Sequence, residues 1–583
     1  MNQKAELPHS VTEVFLVMQG GGAKGIAHAG GLIAIEEEKL AIKGIAGTSA
    51  GSIAAALVAA GYSGRELADP DEKKHIFNRP PFGKEKGQLP YSKPTQMFTW
   101  LGWLILYVLR SIPRVWQRIL VPSSSLPILV AYWSFIILST LYALIGILIY
   151  APGAIPSVGR YLSQSAQNSA HVALGVVVFC GIWALWGITS VRNIRKIIDL
   201  TLARKLSDRL KKAGITKDKE ITFEDMHIAG CPPLKIIATN TATESLELFC
   251  LERTPRVVVA DAVAASICLP IIFKPKTLKF IRHTPVAEVE VRGIFLDGGL
   301  VSNLPAWALD EERLLHPGVP TIALSLSPPA PMNRKFWFNA LTGTIVNGSS
   351  EIHTRTPNQI LTISLETKTD LLDFDLPATK VFEEVAEAQK RVTEELSMAL
   401  RGPTALQEAV KELHRELKHQ FQRYKGILFL PQADDRLRVA IAVQRGSSMR
   451  TVSMAFAHGY TPEDLDAGMT ILIDGSHVGE AWKRNEVIVD EVVNGIATRF
   501  ALPAKSWSAM TWLLCCPVAY AAEQGRKARP FIITVDSNIK FNRNAVHFEK
   551  TFKRFQAFIS YTIERYTTET NLAQYAQGAN TWL

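Results

Sequence analysis

The sequence predicts an α/β fold that is interrupted by a helical membrane insertion and followed by a second α/β module. Three observations lead to this prediction. Near the N-terminus, two short apolar runs each end in a glycine-rich turn that leads into a helix-like stretch. Two long uncharged stretches follow, at residues 126–150 and 172–191. Beyond residue 430, several strand-like runs alternate with turns.

The two uncharged stretches are long enough to cross a bilayer. At a rise of about 1.5 Å per residue, each can span a hydrocarbon core roughly 30 Å thick. We therefore predict a transmembrane hairpin within a membrane insertion of residues 63–215; the alternative is two buried core helices. The shorter apolar stretch 97–109, which contains two tryptophans, is predicted to be an interfacial helix.

The net charge of +10 is concentrated beside this hairpin. Three arginines precede the hairpin, and residues 192–212 carry eight Lys or Arg against two Asp. Basic flanks of this kind mark the cytoplasmic ends of transmembrane helices, which favours a lipid bilayer over nucleic acid as the partner. A solvated basic face is the alternative. The linker 151–171, with Arg160 as its one charged residue apart from histidine, is then predicted to be translocated.

A glycine-rich turn joins the strand-like run 13–18 to the helix-like stretch 26–39. Such a turn places backbone N–H groups at a helix N-terminus, where they can hold negative charge. A Walker A loop is disfavoured because Ile26 follows the last glycine, but a dinucleotide site and an oxyanion hole both fit the turn. The candidate oxyanion residues are Gly20, Gly21, Gly22 and Gly25.

The second turn favours the oxyanion hole. A dinucleotide site needs an acidic residue at the end of the next strand, but the strand-like run 42–46 ends in G-x-S-x-G. This motif precedes a small-residue helix at 52–60 and has the context of a nucleophile elbow, with Ser49 as the nucleophile. Gly47 and Gly51 are expected to permit the strained turn and a close backbone approach.

A proton acceptor for the serine is the next requirement. The strand-like run 294–296 ends in Asp297, Gly298 and Gly299, which places a carboxylate just beyond a strand end. Loops at the carboxyl ends of strands form the sites of α/β sheets. The alternative is an Asp-Gly turn without chemistry, and the residues alone do not show that Asp297 meets Ser49.

Together these blocks resemble the patatin-like phospholipases, and a fourth block at 262–275 is similar to a core helix and loop of that family. The resemblance covers roughly residues 12–62 and 216–370. It implies a three-layer α/β/α hydrolase domain, interrupted here by the transmembrane helical hairpin. It also implies a Ser49–Asp297 dyad and cleavage of phospholipid or lysophospholipid acyl esters without metal or cofactor. His28 lies near the motifs and is predicted to pack or be solvated rather than act as a base.

The last third of the chain is predicted to be regulatory. Residues 376–430 have a charged helical pattern, broken at Gly402–Pro403, and form a predicted connector. The strand-like runs of residues 431–583 and the Val-Gly-x-Ala-Trp step at 478–482 resemble a GAF domain, an α/β module that senses ligands or dimerises. An α/β domain with only a packing role is the alternative. Among the six cysteines there is no C-x-x-C spacing, so we expect reduced, buried thiols and no metal site.

These predictions combine into a membrane-anchored serine lipid acyl hydrolase. Its catalytic domain comprises residues 1–62 and 216–375, and a C-terminal GAF-like α/β domain regulates it through a small ligand or a homodimer contact. Both domains are placed in the cytoplasm, at the plasma or inner membrane if the source is bacterial. Two rivals stay open: a catalytically silent, membrane-tethered lipid-binding or ligand-sensing protein, and a nucleotide-binding protein that uses the glycine turn.

Overall fold

A computed structural model describes residues 12–79, 82, 93–100, 102–107, 187–327, 360–369, 373–432, 434–444, 450–461, 464, 468–493, 496–497, 510–519 and 531–579. The predicted transmembrane stretch 126–150 and most of 172–191 lie outside these ranges. Within them, no helix has both the length and the apolar character that a bilayer crossing requires. The end of the second stretch is described and is not helical: Thr189 makes a parallel β-bridge with Phe273. The predicted helix end at residue 191 is therefore wrong.

The N-terminal unit is built on an eight-stranded sheet of order β10-β9-β1-β2-β5-β8-β7, in which β6 also pairs with β5. Its parallel part is β10-β9-β1-β2-β5, and β6, β7 and β8 are antiparallel. The strands of this unit are β1 (Glu13–Met18), β2 (Ala41–Thr48), the small pair β3 (Ala68–Asp69) and β4 (Lys74–His75), β5 (Leu234–Asn240), β6 (Ser245–Phe249), β7 (Lys276–His283), β8 (Glu288–Leu296), β9 (Thr321–Ser327) and β10 (Ile360–Glu366).

Helices cover both faces of this sheet. The helices are α1 (Ala27–Glu37), α2 (Ala50–Ala59), α3 (Gly64–Leu67), α4 (Arg192–Lys212), α5 (Phe223–Ile228), α6 (Val259–Ser266), α7 (Asp310–Leu315) and α8 (Ala378–Tyr424). Residues 14–18 of β1 are all buried, and successive side chains lie on opposite faces of the sheet: Leu16 belongs to the large core under α1, α2, α4 and α6. Phe15 belongs to a smaller core, completed by Leu309 just before α7. The α/β fold is therefore confirmed.

Several element boundaries differ from the prediction. Strand β1 has the predicted bounds, whereas the helix predicted at 26–39 divides into a 3₁₀ helix, Gly22–Ile26, and α1. Helix α2 begins at Ala50, directly after the candidate nucleophile, and not at residue 52. Gly61 follows its C-cap with φ +97°, a conformation that favours glycine and ends the helix.

The described ends of the predicted insertion pack into the N-terminal core. Leu202, Leu206 and Leu210 of α4 are fully buried there. The guanidinium of Arg195 donates to both carboxylate oxygens of Asp261 at 3.1 and 3.0 Å, which ties α4 to α6. Helical residues 102–107 also place Leu106 in this core. The insertion into the α/β unit is therefore shorter than the predicted residues 63–215, because apolar side chains at both ends of that range are buried in the N-terminal core.

The predicted break in the connector is wrong. Helix α8 runs for 47 residues, with Pro403 inside it. A proline removes one helical hydrogen bond, but burial of Gly402 and Pro403 in the packed helix offsets that loss. The first half of α8 adds Val385 and Val392 to the N-terminal core, and the second half adds Leu413 to a separate C-terminal core. The helix is thus a shared element and not a free connector.

The C-terminal unit contains an antiparallel sheet of order β13-β12-β11-β17-β16-β14-β15. The second half of α8 covers one face with α10 and α11, and α9 covers the other. All five described cysteines are free and buried, as predicted. The elements are β11 (Leu437–Gln444), β12 (Thr451–His458), β13 (Thr470–Leu472), α9 (His477–Arg484), β14 (Ile488–Val493), β15 (Ile496–Ala497), β16 (Trp512–Val518), β17 (Phe531–Ser537), α10 (Phe548–Glu569) and α11 (Leu572–Ala579).

Candidate catalytic site

Ser49 occupies the turn between β2 and α2. Its backbone has φ +53° and ψ −127°, a left-handed conformation that is uncommon outside glycine and stores strain. Its hydroxyl donates a hydrogen bond to Oδ2 of Asp297 at 2.7 Å. The structure therefore brings together two predicted residues that are 248 positions apart, a contact that the sequence alone did not establish.

The two glycines beside Ser49 are required by close approaches of the backbone. A Cβ atom on Gly47 would lie 2.4 Å from the carbonyl oxygen of Gly51. One on Gly51 would lie 2.3 Å from the carbonyl oxygen of Met18 at the end of β1. Any larger residue would push α2 away from the sheet and displace Ser49.

Asp297 reaches the serine by an unexpected route. Strand β8 runs antiparallel to β5, with Leu296 opposite Thr239. Strand β5 is parallel to β2, with Ile237 opposite Thr48. The carboxylate thus approaches Ser49 from the opposite strand direction, and the rule that parallel strands end at one edge does not explain its position. The site forms because β8 stops at the level where β2 ends.

The Asp297 carboxylate is buried and held in place. Its Oδ1 accepts the N–H of Gly299 at 2.7 Å, and its exposed fraction is 5%. Burial raises the pKa of Asp297 to about 6, and the hydrogen bonds from Ser49 and Gly299 limit the rise. A Cβ on Gly298 would lie 2.2 Å from the carbonyl oxygen of Ile237, so the turn packs directly on β5. The carboxylate is therefore ionised near neutral pH and can accept a proton.

The last residue of α6 and the segment that follows it hold both members of the pair. The N–H of Ser49 donates to the hydroxyl oxygen of Ser266 at 2.8 Å, and that hydroxyl donates to the carbonyl of Ile237 at 2.6 Å. Two residues further on, the carbonyl of Cys268 accepts the N–H of Asp297 at 2.9 Å. Sequence reasoning placed these residues in a family block without a role, because nothing in their spacing shows which backbone group they contact.

Replacing Ser266 with alanine is expected to lower kcat at least about tenfold with little change in KM. The change leaves the N–H of Ser49 and a buried carbonyl without a partner, which costs about 1–3 kcal/mol of stability as well. Steady-state kinetics below the unfolding temperature, with active enzyme counted by covalent labelling, measures the effect. Ser266→Thr keeps the hydroxyl and should recover most of kcat. An alanine variant with normal kcat would show that the strained turn does not need this contact.

The glycine turn supplies fewer N–H donors than predicted. The N–H of Gly20 already donates to the carbonyl of Asn303 at 3.1 Å, so its predicted role as an oxyanion donor is wrong. Gly25 lies inside the 3₁₀ helix, where the i→i+3 bond uses its N–H. A glycine is needed there because a Cβ atom at this position would lie only 2.9 Å from the Cβ of Ala50. The N–H groups of Gly21, Gly22 and Ala23 make no hydrogen bond to any residue that the structure describes.

His28 is engaged away from the serine. It is fully buried, and its Nε2 donates to the carbonyl of Gln19 at 2.9 Å. Burial lowers the pKa of His28 to about 4, so the ring is neutral. This histidine supports the start of the glycine turn and is not placed to take the serine proton, as predicted.

Part of the chain matches a known protein family. Residues 16–103 and 175–310 match the family described as Patatin-like phospholipase. This part of the chain belongs to the patatin-like phospholipases. A segment of this chain is 51% identical over 51 residues to "Uncharacterized protein YqhO" of Bacillus subtilis (strain 168), covering 9% of this chain and 18% of that protein.

Two solved structures are similar to parts of this chain. The crystal structure of VipD from Legionella pneumophila has 15% sequence identity and a TM-score of 0.29, covering 73% of this chain and 83% of that one. The GAF domain of a two-component sensor histidine kinase from Bacillus halodurans has 12% identity and a TM-score of 0.17, covering 26% and 94%.

A large cavity adjoins the glycine turn of the patatin-like domain. Its volume is about 1070 Å³, at the upper end of the range for ligand pockets. Gly22, Ala23 and Gly25 form its wall beside the serine, with Ala50 directly after Ser49. In the described ranges, no three His, Cys, Asp or Glu side chains are grouped to hold a metal ion.

Proposed function

We propose that the patatin-like domain is a serine hydrolase of lipid acyl esters. The 2.7 Å hydrogen bond between Ser49 and Asp297 carries this proposal. Ser49 Oγ attacks the ester carbonyl while Asp297 accepts its proton. The N–H groups of Gly21, Gly22 and Ala23 stabilise the oxyanion, and Asp297 returns the proton to the leaving alcohol. Water activated by Asp297 then hydrolyses the acyl-enzyme.

Two further features support the proposed hydrolase function. Helix α2 begins directly after Ser49, so its positive end favours negative charge on the attacking oxygen. The apolar cavity beside the turn offers room for an acyl chain. A nucleotide-binding role is disfavoured, because the strand after the glycine turn ends in this elbow and not in an acidic residue.

A fluorophosphonate probe and a phospholipid assay together test the function. The probe should label Ser49, and the protein should release fatty acid from phospholipid or lysophospholipid in excess EDTA. A protein that binds lipid but neither reacts nor hydrolyses would be the catalytically silent alternative. Strict dependence on calcium would contradict a metal-free mechanism.

The pH profile should have an acid limb with an apparent pKa of about 6 in kcat/KM. Asp297 accepts a proton only when ionised, and burial raises its pKa to about 6, so activity is lost as pH falls. The same shift affects stability with the opposite sign: the folded protein binds the proton more tightly, so this group stabilises the fold at low pH and less as pH rises through about 6. Initial rates from about pH 5 to 8 check the limb; a flat profile would contradict Asp297 as the base.

We propose that residues between 107 and 187 anchor the domain to a membrane through the predicted hairpin. Support comes from the described residues on either side. The hydroxyls of Thr99 and Thr189 lie 3.0 Å apart, and the amide of Asn193 donates to the carbonyl of Phe98 at 3.0 Å. The chain therefore departs and returns at one place, as an even number of crossings requires.

A reporter inserted at residue 160 is expected on the non-cytoplasmic side. Reporters at the N-terminus and after residue 215 are expected in the cytoplasm, because basic residues favour that side. Alkaline phosphatase and fluorescent-protein fusions distinguish the two sides. A cytoplasmic signal at residue 160 would mean that the two stretches do not span.

We also propose that the C-terminal unit, as a GAF-like module, regulates the hydrolase when it binds a small ligand or a second copy. Helix α8 supports this proposal. Ala378 and Val381 at its start line the cavity, and its last turns belong to the C-terminal core. Its crossing with α1 is tight, since a Cβ on Gly30 would lie 2.1 Å from the carbonyl oxygen of Val385. A movement of α8 would therefore shift α1 and the cavity wall beside the glycine turn.

A further inference from the structure

The cavity beside Ser49 follows one face of helix α2. Four of its lining residues are spaced i, i+3, i+4 and i+7 and so share that face. They are Ala50, Ile53, Ala54 and Leu57. At about 1.5 Å per residue, Ala54 lies roughly 7.5 Å and Leu57 roughly 12 Å along the helix from Ser49. Each residue on this face therefore lies at a fixed distance from the reacting oxygen of Ser49.

Side-chain size changes along this face. Ala50 and Ala54 are small, although the larger Ile53 lies between them, and Ala29 of α1 adds another small side chain to the wall. Leu57 is large, and Leu67 of α3 lines the same cavity. The small residues leave an apolar slot beside Ile53 near the serine, and the larger side chains of Leu57 and Leu67 limit the space further from it. This arrangement fits an unbranched hydrocarbon chain that starts at the ester carbon.

We propose that the acyl chain of the substrate lies along α2, and that Ala54 and Leu57 set the chain length that the enzyme accepts. The inference rests on the proposed hydrolase function and names its substrate class as long-chain acyl esters. Each methylene group held in an apolar slot contributes about fourfold to kcat/KM. Chain length therefore becomes a measurable specificity, determined by two side chains that take no part in the chemistry.

The experiment uses the full-length protein and p-nitrophenyl esters from butyrate to palmitate. For the wild type, kcat/KM should rise with chain length. Ala54→Leu fills the slot and should lower the palmitate-to-butyrate ratio at least about tenfold. Leu57→Ala removes the far obstacle and should raise the palmitate-to-laurate ratio. If the two substitutions shift the preferred chain length in opposite directions, they select chain length and do not simply lower activity.

Val58→Ala is the matched control. Val58 is buried on the same helix, next to Leu57, but does not line the cavity. Its truncation should lower stability and leave both ester ratios unchanged. Hydrolysis with unchanged ratios in Ala54→Leu and Leu57→Ala would overturn the inference while leaving the hydrolase intact. Absence of both hydrolysis and fluorophosphonate labelling in the wild type would instead overturn the proposed function and the inference with it.

Discussion

Replacing Ser49 with alanine is expected to reduce fatty-acid release from phospholipid by at least about 10³-fold. The variant loses the atom that forms the acyl-enzyme, while the glycine turn can still bind the ester carbonyl. Fatty-acid release and fluorophosphonate labelling should both be measured. Ser245→Ala, at an exposed serine of β6, is the matched control and should retain full activity. Substantial turnover by Ser49→Ala would require a different nucleophile.

Asp297→Asn should reduce the rate by a similar factor with the fold preserved. The amide has nearly the same shape but cannot take the serine proton, so both acylation and deacylation slow. Asp208→Asn, at an exposed position of α4, is the corresponding control. Together the pair separates a dyad from a lone activated serine, because in the second case Asp297→Asn would remain active.

Arg438→Met should destabilise the C-terminal unit by about 3–5 kcal/mol. Arg438 is fully buried, and its guanidinium donates to both carboxylate oxygens of Asp536 at 2.7 and 2.6 Å across β11 and β17. It also stacks 4.3 Å from the ring of Tyr460. Methionine fills similar space but leaves a buried carboxylate without its charge partner. Hydrogen exchange of the β11 and β17 amides measures the loss.

Arg415→Met is the control for this change. Arg415 pairs with Glu412 at 2.7 Å, but its side chain is 77% exposed, so the loss should stay below about 1 kcal/mol. The same two variants test regulation. If the C-terminal unit restrains the hydrolase, Arg438→Met should change the rate per molecule by roughly 5- to 150-fold, equivalent to a coupling of 1–3 kcal/mol. An unchanged rate would make the unit a structural or partner-binding appendage.

The sequence predicted the local elements of the site better than it predicted the contacts between those elements. Strand, turn and helix around Ser49 follow from apolar periodicity and from glycine spacing, both of which are local signals. The approach of Asp297 depends on where the antiparallel strand β8 stops, which is a property of long-range pairing. The contact of Ser266 with the N–H of Ser49 and the hydrogen bond of the Gly20 N–H were missed for the same reason. Hydrogen bonds to the backbone cannot be inferred from residue type.

Tertiary packing also overrode two local signals. Gly402–Pro403 predicts a helix break, but α8 continues through it and packs against two hydrophobic cores. The basic residues of α4 indicated a membrane flank, yet the same helix carries an apolar face that fills the N-terminal core. Charge and burial occupy different faces of one helix, and composition alone does not separate them.

The sheet order also has a consequence for synthesis on the ribosome. Strand β1 emerges long before its neighbour β9, which begins only at Thr321. At about 5–20 residues per second, β1 waits roughly 15–60 s for that partner. The predicted hairpin would emerge well before then. If the proposed hairpin spans the bilayer, we expect the nascent chain to be inserted before Ser49 and Asp297 can meet, so that the enzyme would become active only after insertion.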